Sequence, residues 1–228
     1  MAAARAPVRG FTLIELLIAV VILSMVVGLG TLAFSLFTQQ WASTRSDFDD
    51  SLSDYQRLSL VHQALEDAIP WAVRGKDGRI GFYFLGRDEG LTLVTASPVF
   101  TPNNIAVIRF FRESTGRDEW RLVYEEAPLT GVRLREASQQ LPFKHRLVVL
   151  RQVKGKVVFR YFGWASLDER VREPAPGEMP PMPQWFTEYD GLIRGQHPQR
   201  IGVALEGTEA IYFVPDRANA TINRMIRE

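Results

Sequence analysis

Three patterns of hydrophobic and polar residues follow one another along the chain. Residues 16–37 contain no charged residue and no proline, and as a helix they would be apolar on every side. Residues 48–68 place apolar side chains three and four positions apart, which is typical of a helix with one buried face. After Pro70 the period changes to two, in short runs rich in aromatic and β-branched residues. These patterns predict a long helix followed by β-structure.

The long helix is predicted to cover residues 11–69. No proline occurs in that range, and helices usually end at or before the residue that precedes a proline. We expect its second half to pack on a globular domain. Gly28 and Gly30 lie in the apolar half, where they indicate either a place where the helix can bend or unwind, or close packing against another helix. The apolar stripe of the second half consists of Phe48, Leu52, Tyr55, Leu58, Val61, Leu65 and Ala68.

The C-terminal part is predicted to form antiparallel sheet packed against the helix, which is an α+β fold. Residues 106–126 are predicted to form an antiparallel pair, and residues 151–162 a hairpin around Lys154-Gly155-Lys156. The proline-rich residues 174–183 are predicted to be an extended surface loop that serves as a connector or binds a partner. The predicted strands are residues 80–85, 91–96, 106–113, 120–126, 147–150, 157–162, 201–205 and 211–214.

The apolar run is long enough to span a membrane. At about 1.5 Å per residue it would reach roughly 33 Å, more than the hydrocarbon core of a bilayer. A buried core helix and a secretory signal peptide are the alternatives, and the latter fits poorly because the run is long and no A-x-A-like site ends it. Arg5 and Arg9 precede the run, so the positive-inside rule places the N-terminus in the cytoplasm and exports the C-terminal part.

Composition removes several kinds of chemistry. The 228 residues include no cysteine and carry a formal charge of +1, which excludes a thiolate site and argues against a strongly basic nucleic-acid binder. His62, His145 and His197 fit no zinc spacing, and no phosphate loop, dinucleotide fingerprint or nucleophile elbow occurs. The acidic pair Glu125-Glu126 is expected to be solvated. We therefore predict no enzyme activity, no metal and no cofactor.

The junction between the leader and the apolar run carries the functional signal. It reads Arg9-Gly10-Phe11-Thr12-Leu13-Ile14-Glu15, a short basic leader, a glycine, an aromatic residue and a lone glutamate. This resembles the N-terminal signal of type IV pilins and of the pseudopilins of type II secretion. The resemblance implies the pilin fold, cleavage by prepilin peptidase between Gly10 and Phe11, and N-methylation of Phe11.

The same resemblance divides the chain and places it in the cell. It implies a removed leader, residues 1–10, and a transmembrane assembly segment, residues 11–38. An amphipathic half-helix, residues 39–70, and a periplasmic β-rich domain, residues 71–228, would follow. The mature chain would cross the bacterial inner membrane once and wait there until an assembly platform lifts it into a filament.

Glu15 is the residue that this interpretation must explain. A charged carboxylate inside a membrane helix costs about 2.5–3.5 kcal/mol on insertion scales, so it is normally paired and functional. The expected partner is the α-amino group of Phe11 on a neighbouring subunit, which would set the register between subunits. The alternative is a carboxylate solvated at the headgroups. Thr12 either joins a hydrogen bond at the same junction or is simply tolerated in the helix.

The C-terminal part of the sequence is similar to one class within this family, the J-type minor pseudopilin of type II secretion. The features that carry this similarity are the succession of short strands, the segment Gln184-Trp185-Phe186 and the proline that precedes the predicted strand over residues 201–205. This implies a tip complex with other minor pseudopilins that primes filament assembly. A PilW-like minor pilin of a type IV pilus is the first alternative, and a membrane-anchored periplasmic binding or enzymatic domain is the second.

Overall fold

The computed structural model describes residues 13–206 and 210–227, with side chains described outside residues 36–52 and Arg227. The chain divides into two compact units, Met1–Leu52 and Ser53–Glu228. Helices are α1 Leu13–Glu66, α2 Leu167–Val171, α3 Gly191–Arg194 and α4 Asp216–Arg227. The strands are β1 Ala72–Arg74, β2 Ile80–Phe82, β3 Phe84–Arg87, β4 Gly90–Thr95, β5 Ala106–Gly116, β6 Glu119–Pro128, β7 His145–Lys154, β8 Val157–Gly163, β9 Gln184–Phe186, β10 Tyr189–Asp190, β11 Arg200–Leu205 and β12 Ile211–Phe213.

A long N-terminal helix followed by antiparallel sheets confirms the α+β prediction. α1 ends at Glu66, three residues before the predicted end, because the chain there joins the end of β4. Ala68 forms a bridge with Thr95, and the Ile69 amide donates to the Val94 carbonyl at 2.9 Å. The buried Thr95 hydroxyl donates to the Ala64 carbonyl at 2.6 Å, which satisfies one of the carbonyls that a helix leaves open at its C-terminus.

The strands form three antiparallel sheets. The largest has the order β10-β3-β4-β5-β6-β7, the second has the order β12-β11-β8-β9, and β1 pairs with β2. The predicted pair over residues 106–126 is confirmed as β5 and β6, with Phe110 opposite Tyr124. The predicted irregular loop, residues 174–183, contains neither helix nor strand.

Two predicted strand arrangements are wrong. Residues 151–162 do not form a hairpin, because β7 lies in the six-stranded sheet and β8 in the four-stranded sheet. Gly155, at φ 76°, donates its amide to the Asp118 carbonyl, and the chain crosses between the sheets at this point. Residues 80–85 are two strands, because the Tyr83 amide turns away to donate to the Trp71 carbonyl at 2.8 Å.

α4 is a helix outside the predicted elements. Ala218 and Ile222 lie four residues apart on it and are both buried, which is the spacing of a helix with one buried face. Its sequence mixes three arginines and two alanines with weaker helix formers such as Asn and Thr. Packing of the apolar face therefore stabilises the helix.

The main core lies between the two larger sheets. Val61, Ala64 and Leu65 of α1, with Ala68 just after the helix, enter it fully buried, as the apolar stripe predicted. Tyr55 is 71% exposed, so its predicted place in the buried stripe is wrong, and the side chains of Phe48 and Leu52 lie outside the described residues. A second core covers the opposite face of the six-stranded sheet around Val73, Tyr83, Val94, Val107 and Leu134.

Tyr161 fastens the two sheets to each other. Its hydroxyl, on β8, lies 2.8 Å from the Arg87 carbonyl oxygen and 2.7 Å from that of Gly90 in the turn between β3 and β4. Gly86 makes room for the ring, since a Cβ there would lie 2.5 Å from Tyr161 Cζ. Burial raises the pKa of Tyr161 above its ordinary value, so the hydroxyl stays protonated and continues to donate.

His197 is a buried histidine whose ring takes part in no hydrogen bond among the described residues. Its ring lies 5.2 Å from that of Phe84 and 6.2 Å from that of Phe82, and neither ring nitrogen has a hydrogen-bond partner among the described residues. Burial lowers the pKa of His197 from 6.5 to about 3. The imidazole is therefore neutral in the folded state across the physiological range.

We expect His197 to make the folded protein sensitive to acid. Between pH 6.5 and about 3 the unfolded chain binds a proton at this position and the folded chain does not. The free energy of unfolding should therefore fall as the pH falls below 6.5, by up to about 1.4 kcal/mol per pH unit from this group. His197→Phe, which removes no hydrogen bond, should remove that contribution in denaturant titrations at pH 7 and pH 5.

Phe159→Leu is the matched control, because Phe159 is a fully buried ring of the core that cannot bind a proton. It should keep the pH dependence of the unmodified protein. An unchanged pH dependence in His197→Phe would contradict the prediction.

Candidate assembly segment

The apolar half of α1 is exposed on every side in the structure. The large apolar side chains from Leu13 to Phe34 are between 51% and 84% exposed. Leu13–Ser35 contains 23 residues with a mean hydropathy of 2.7 in its most apolar window, and it rises about 35 Å as a helix. Its length and composition meet what a bilayer requires, which suggests that the segment anchors the protein in a membrane.

The hydroxyl groups of this segment are satisfied within the helix itself. Ser24 donates to the Val20 carbonyl at 2.8 Å, Thr31 to the Val27 carbonyl at 2.9 Å and Ser35 to the Leu32 carbonyl at 2.9 Å. A polar group without a hydrogen bond would cost several kcal/mol in hydrocarbon. These back-bonded hydroxyls let the segment enter an apolar solvent at little cost.

Glu15 is the one ionisable residue between Leu13 and Ser35. It lies in the first turn of α1 and is exposed. The positive end of the helix dipole favours a carboxylate there, typically by 0.3–1 kcal/mol. That is less than the cost of a charge deep in a membrane, so the helix dipole alone does not offset that cost.

The other predicted site residues precede Leu13, where the described residues begin. Gly10, Phe11 and Thr12 are outside the described residues. The cleavage at Gly10-Phe11, the pairing of Glu15 with the Phe11 amine and the hydrogen bond of Thr12 therefore stay predictions.

Gly28 and Gly30 lie inside the continuous helix. A Cβ built at either position would meet nothing within 4 Å, so neither glycine serves a close contact with the described part of the chain. Both interpretations, a bend on assembly and packing against another membrane helix, stay open.

The histidines have separate surroundings. His62 lies 3.2 Å from a Glu66 carboxylate oxygen, His145 stacks on Phe100 at 5.3 Å, and His197 is buried among aromatic rings. Within residues 13–206 and 210–227, no three His, Asp or Glu side chains gather as metal ligands would.

Glu126 is a residue whose role the sequence did not indicate. The expectation that Glu125 and Glu126 are both solvated is wrong, because Glu126 is fully buried. Its Oε2 accepts from the Phe100 amide and from the Tyr124 hydroxyl, both at 3.0 Å. It therefore fixes the β4–β5 loop on β6. The available signal was the alternation of β6, which puts Glu126 on the same inward face as Tyr124.

Comparison with known proteins identifies the N-terminal region. Residues 5–31 match the family described as the prokaryotic N-terminal methylation motif. No curated protein matches the chain. The match, together with the helix it opens, indicates a prokaryotic protein similar to type IV pilins, with an N-terminal apolar helix.

We expect the double substitution Val21→Arg/Val27→Arg to weaken membrane anchoring. Each arginine near the centre of the segment should cost about 2.5–3.5 kcal/mol. The share of the full chain that stays in the membrane fraction after an alkaline wash should fall. Ser24→Ala/Thr31→Ala is the control and should leave that share unchanged, because these hydroxyls bond only within their own helix. Full retention of the arginine variant would contradict membrane anchoring by this segment.

Proposed function

We propose that this protein is a minor pseudopilin of a type II secretion system, a subunit of the tip complex that primes assembly of the filament and supports protein export. The observation that carries the proposal is the N-terminal methylation motif on a helix of membrane-spanning length. The β-rich unit that follows supports a structural role. It has a core of its own, closed by the last turns of α1.

The apolar segment would lie in two apolar environments in turn. Before assembly it would lie in the inner membrane, with the N-terminus in the cytoplasm and Ser53–Glu228 in the periplasm. After prepilin peptidase removes residues 1–10, an assembly platform would move the helix into a filament of similar helices. Its back-bonded hydroxyls suit both settings, since both are apolar.

Glu15 would select and align neighbouring subunits. In an environment of low dielectric constant an unpaired carboxylate is costly, and an opposite charge attracts it strongly. The α-amino group that cleavage creates on Phe11 supplies such a charge. Pairing between Glu15 of one subunit and the Phe11 amine of another would favour a single axial register.

The periplasmic unit would carry the contacts with other minor pseudopilins. It contains no cysteine, so an oxidising compartment has no thiol to modify and folding needs no disulfide. No catalytic step, metal or cofactor forms part of the proposal. The three histidines and the buried Glu126 already have structural neighbours that account for their positions.

Mass spectrometry of the mature chain tests the processing. We expect Phe11 at the N-terminus with one added methyl group. A Gly10→Val variant should keep the leader, because a bulky side chain would then occupy the cleavage site. An intact Met1, or a cut far beyond Phe37, would reject this function and favour a membrane-anchored binding or enzymatic domain.

Glu15→Ala tests the assembly role. The variant should insert into the membrane normally, while its incorporation into filaments or tip complexes falls by roughly tenfold or more, because one partner of a charge pair is lost. Glu66→Ala is the control, since Glu66 is a half-exposed carboxylate on the same helix. Unchanged incorporation of Glu15→Ala would reject the pairing.

Deletion of the gene separates the two filament systems. Loss of protein secretion with surface pili intact supports a pseudopilin. Loss of pili with secretion intact would identify the PilW-like minor pilin instead.

A further inference from the structure

One face of the four-stranded sheet points away from the core. Register places Phe162 opposite both Trp185 and Arg200, and it places Gly202 opposite both Tyr212 and Arg160. Directly opposite residues share a face of an antiparallel sheet, and Arg200 and Gly202 are two apart on β11. We call this set the aromatic face: Arg160, Phe162, Trp185, Arg200, Gly202 and Tyr212.

The other face of the same strands is fully buried in the main core. It contributes Phe159, Tyr161, Ile201, Val203 and Phe213. The sheet therefore has one inward hydrophobic face, and burial in the core does not explain the aromatic residues on the outward one.

The rings of the aromatic face lie side by side along the sheet. Ring centroids are 5.2 Å apart for Phe162 and Trp185, and 6.0 Å apart for Trp185 and Tyr212. A Cβ at Gly202 would lie 3.3 Å from the Trp185 ring and 3.4 Å from that of Tyr212. Gly202 therefore lets both rings cover β11, yet Trp185 is still 43% and Tyr212 54% exposed.

Two arginines on this face are not ion-paired. Arg160 and Arg200 are exposed, and within residues 13–206 and 210–227 neither has a carboxylate within 4 Å. On the six-stranded sheet, by contrast, Arg146 binds Glu113 at 2.6 Å and Glu125 at 3.3 Å. Among the described residues, these two arginines therefore give the aromatic face a positive charge.

The proline-rich loop, residues 174–183, leads directly into β9 beside Trp185. Its turn is held by Glu178, which accepts from the Ala175 amide at 3.2 Å and from Arg172 at 2.6 Å. Met179 and Met182 are 83% and 70% exposed. Methionine side chains adapt their shape to a partner, and the loop that carries these two joins the sheet at β9.

We propose that the aromatic face binds an acidic segment of a partner polypeptide, one that places an aromatic or apolar side chain between its carboxylates. Trp, Tyr and Arg are the residues that most often dominate the energy of protein interfaces. The unpaired arginines select a negatively charged partner. This goes beyond the proposed function, because it concerns the chemistry of one contact and requires neither leader cleavage nor assembly.

The geometry favours a polypeptide over other anionic partners. Rings that lie against the sheet do not project as side chains that insert into a bilayer must. Two arginines are also fewer than the row of cations that tracks a nucleic-acid backbone. Both partners remain outcomes of the test.

The experiment titrates the full chain, in an uncharged detergent, with fluorescent probes. They are a short peptide of aspartate and tyrosine, the same peptide with asparagine for aspartate, an oligothymidylate and vesicles of phosphatidylglycerol. We expect the aspartate peptide to bind most tightly, about tenfold better than the asparagine peptide, with affinity falling as salt rises.

Variants assign the binding to the aromatic face. Arg160→Gln/Arg200→Gln should weaken binding of the aspartate peptide about fivefold to tenfold, and Trp185→Ala by tenfold or more. Arg117→Gln is the control, because Arg117 is exposed in the turn between β5 and β6, and it should bind normally. The arginine variant removes the contact of the Arg200 guanidinium with the Phe162 ring, at 5.9 Å, but it keeps every ring of the aromatic face, so the test holds even if Trp185→Ala disturbs β9.

Four results would overturn the proposal. Three concern the peptides: no binding of the aspartate peptide, equal binding of the asparagine peptide, or an aspartate-peptide affinity that the arginine variant does not change. The fourth is that oligothymidylate or the vesicles bind more tightly than the aspartate peptide and that the arginine variant abolishes this binding. None of them bears on methylation of Phe11. A protein that keeps its leader but binds the aspartate peptide would in turn reject the proposed function and leave this inference standing.

Discussion

The burial of the last turns of α1 in the core between the two sheets is the interaction on which the domain depends. Val61, Ala64, Leu65 and Ala68 are fully buried there, and burying a Val or Leu side chain stabilises a fold by about 1.5–3 kcal/mol. Six-stranded and four-stranded sheets alone would leave this end of the core open to water. The same helix is apolar and exposed from Leu13 to Ser35, so one element meets two requirements in succession. Its N-terminal half must be soluble in hydrocarbon, and its last turns must be complementary to a protein core.

Polar groups are bonded differently in the apolar segment and in the domain. In the apolar segment the hydroxyls of Ser24 and Thr31 bond to their own helix, and Glu15 is left as the one ionisable group. In the domain, buried polar groups bond to backbone or to neighbouring strands, as Thr95, Glu126 and Tyr161 do. The His197 ring is one of a few buried polar groups without a hydrogen-bond partner among the described residues, and burial keeps it neutral. The domain thus leaves some buried polar groups unbonded, but none of them is charged.

Local sequence predicted what depends on local pattern. The apolar run, the methylation motif and the strands with clear alternation, such as β5 and β6, could be recognised residue by residue. Gly155 shows where such prediction fails, because a glycine turn between two strands has the same sequence whether they pair or enter different sheets. The buried state of Glu126 could not be predicted, because its partner, the Phe100 amide of the β4–β5 loop, reaches it only in the folded chain. The aromatic face could not be predicted either, since Trp185, Gly202 and Tyr212 meet only through strand register.

The junction after α1 has a mechanical consequence. The chain leaves the helix at Glu66 and is tied within a few residues to β4, through the Ala68–Thr95 bridge and the Ile69 amide. β4 lies between β3 and β5 inside the six-stranded sheet. A tensile load carried along α1 would therefore enter the domain at an interior strand, where hydrogen bonds on both sides share it, and an edge strand would not be peeled away first. Tension along α1 would thus be resisted by the interior of the six-stranded sheet.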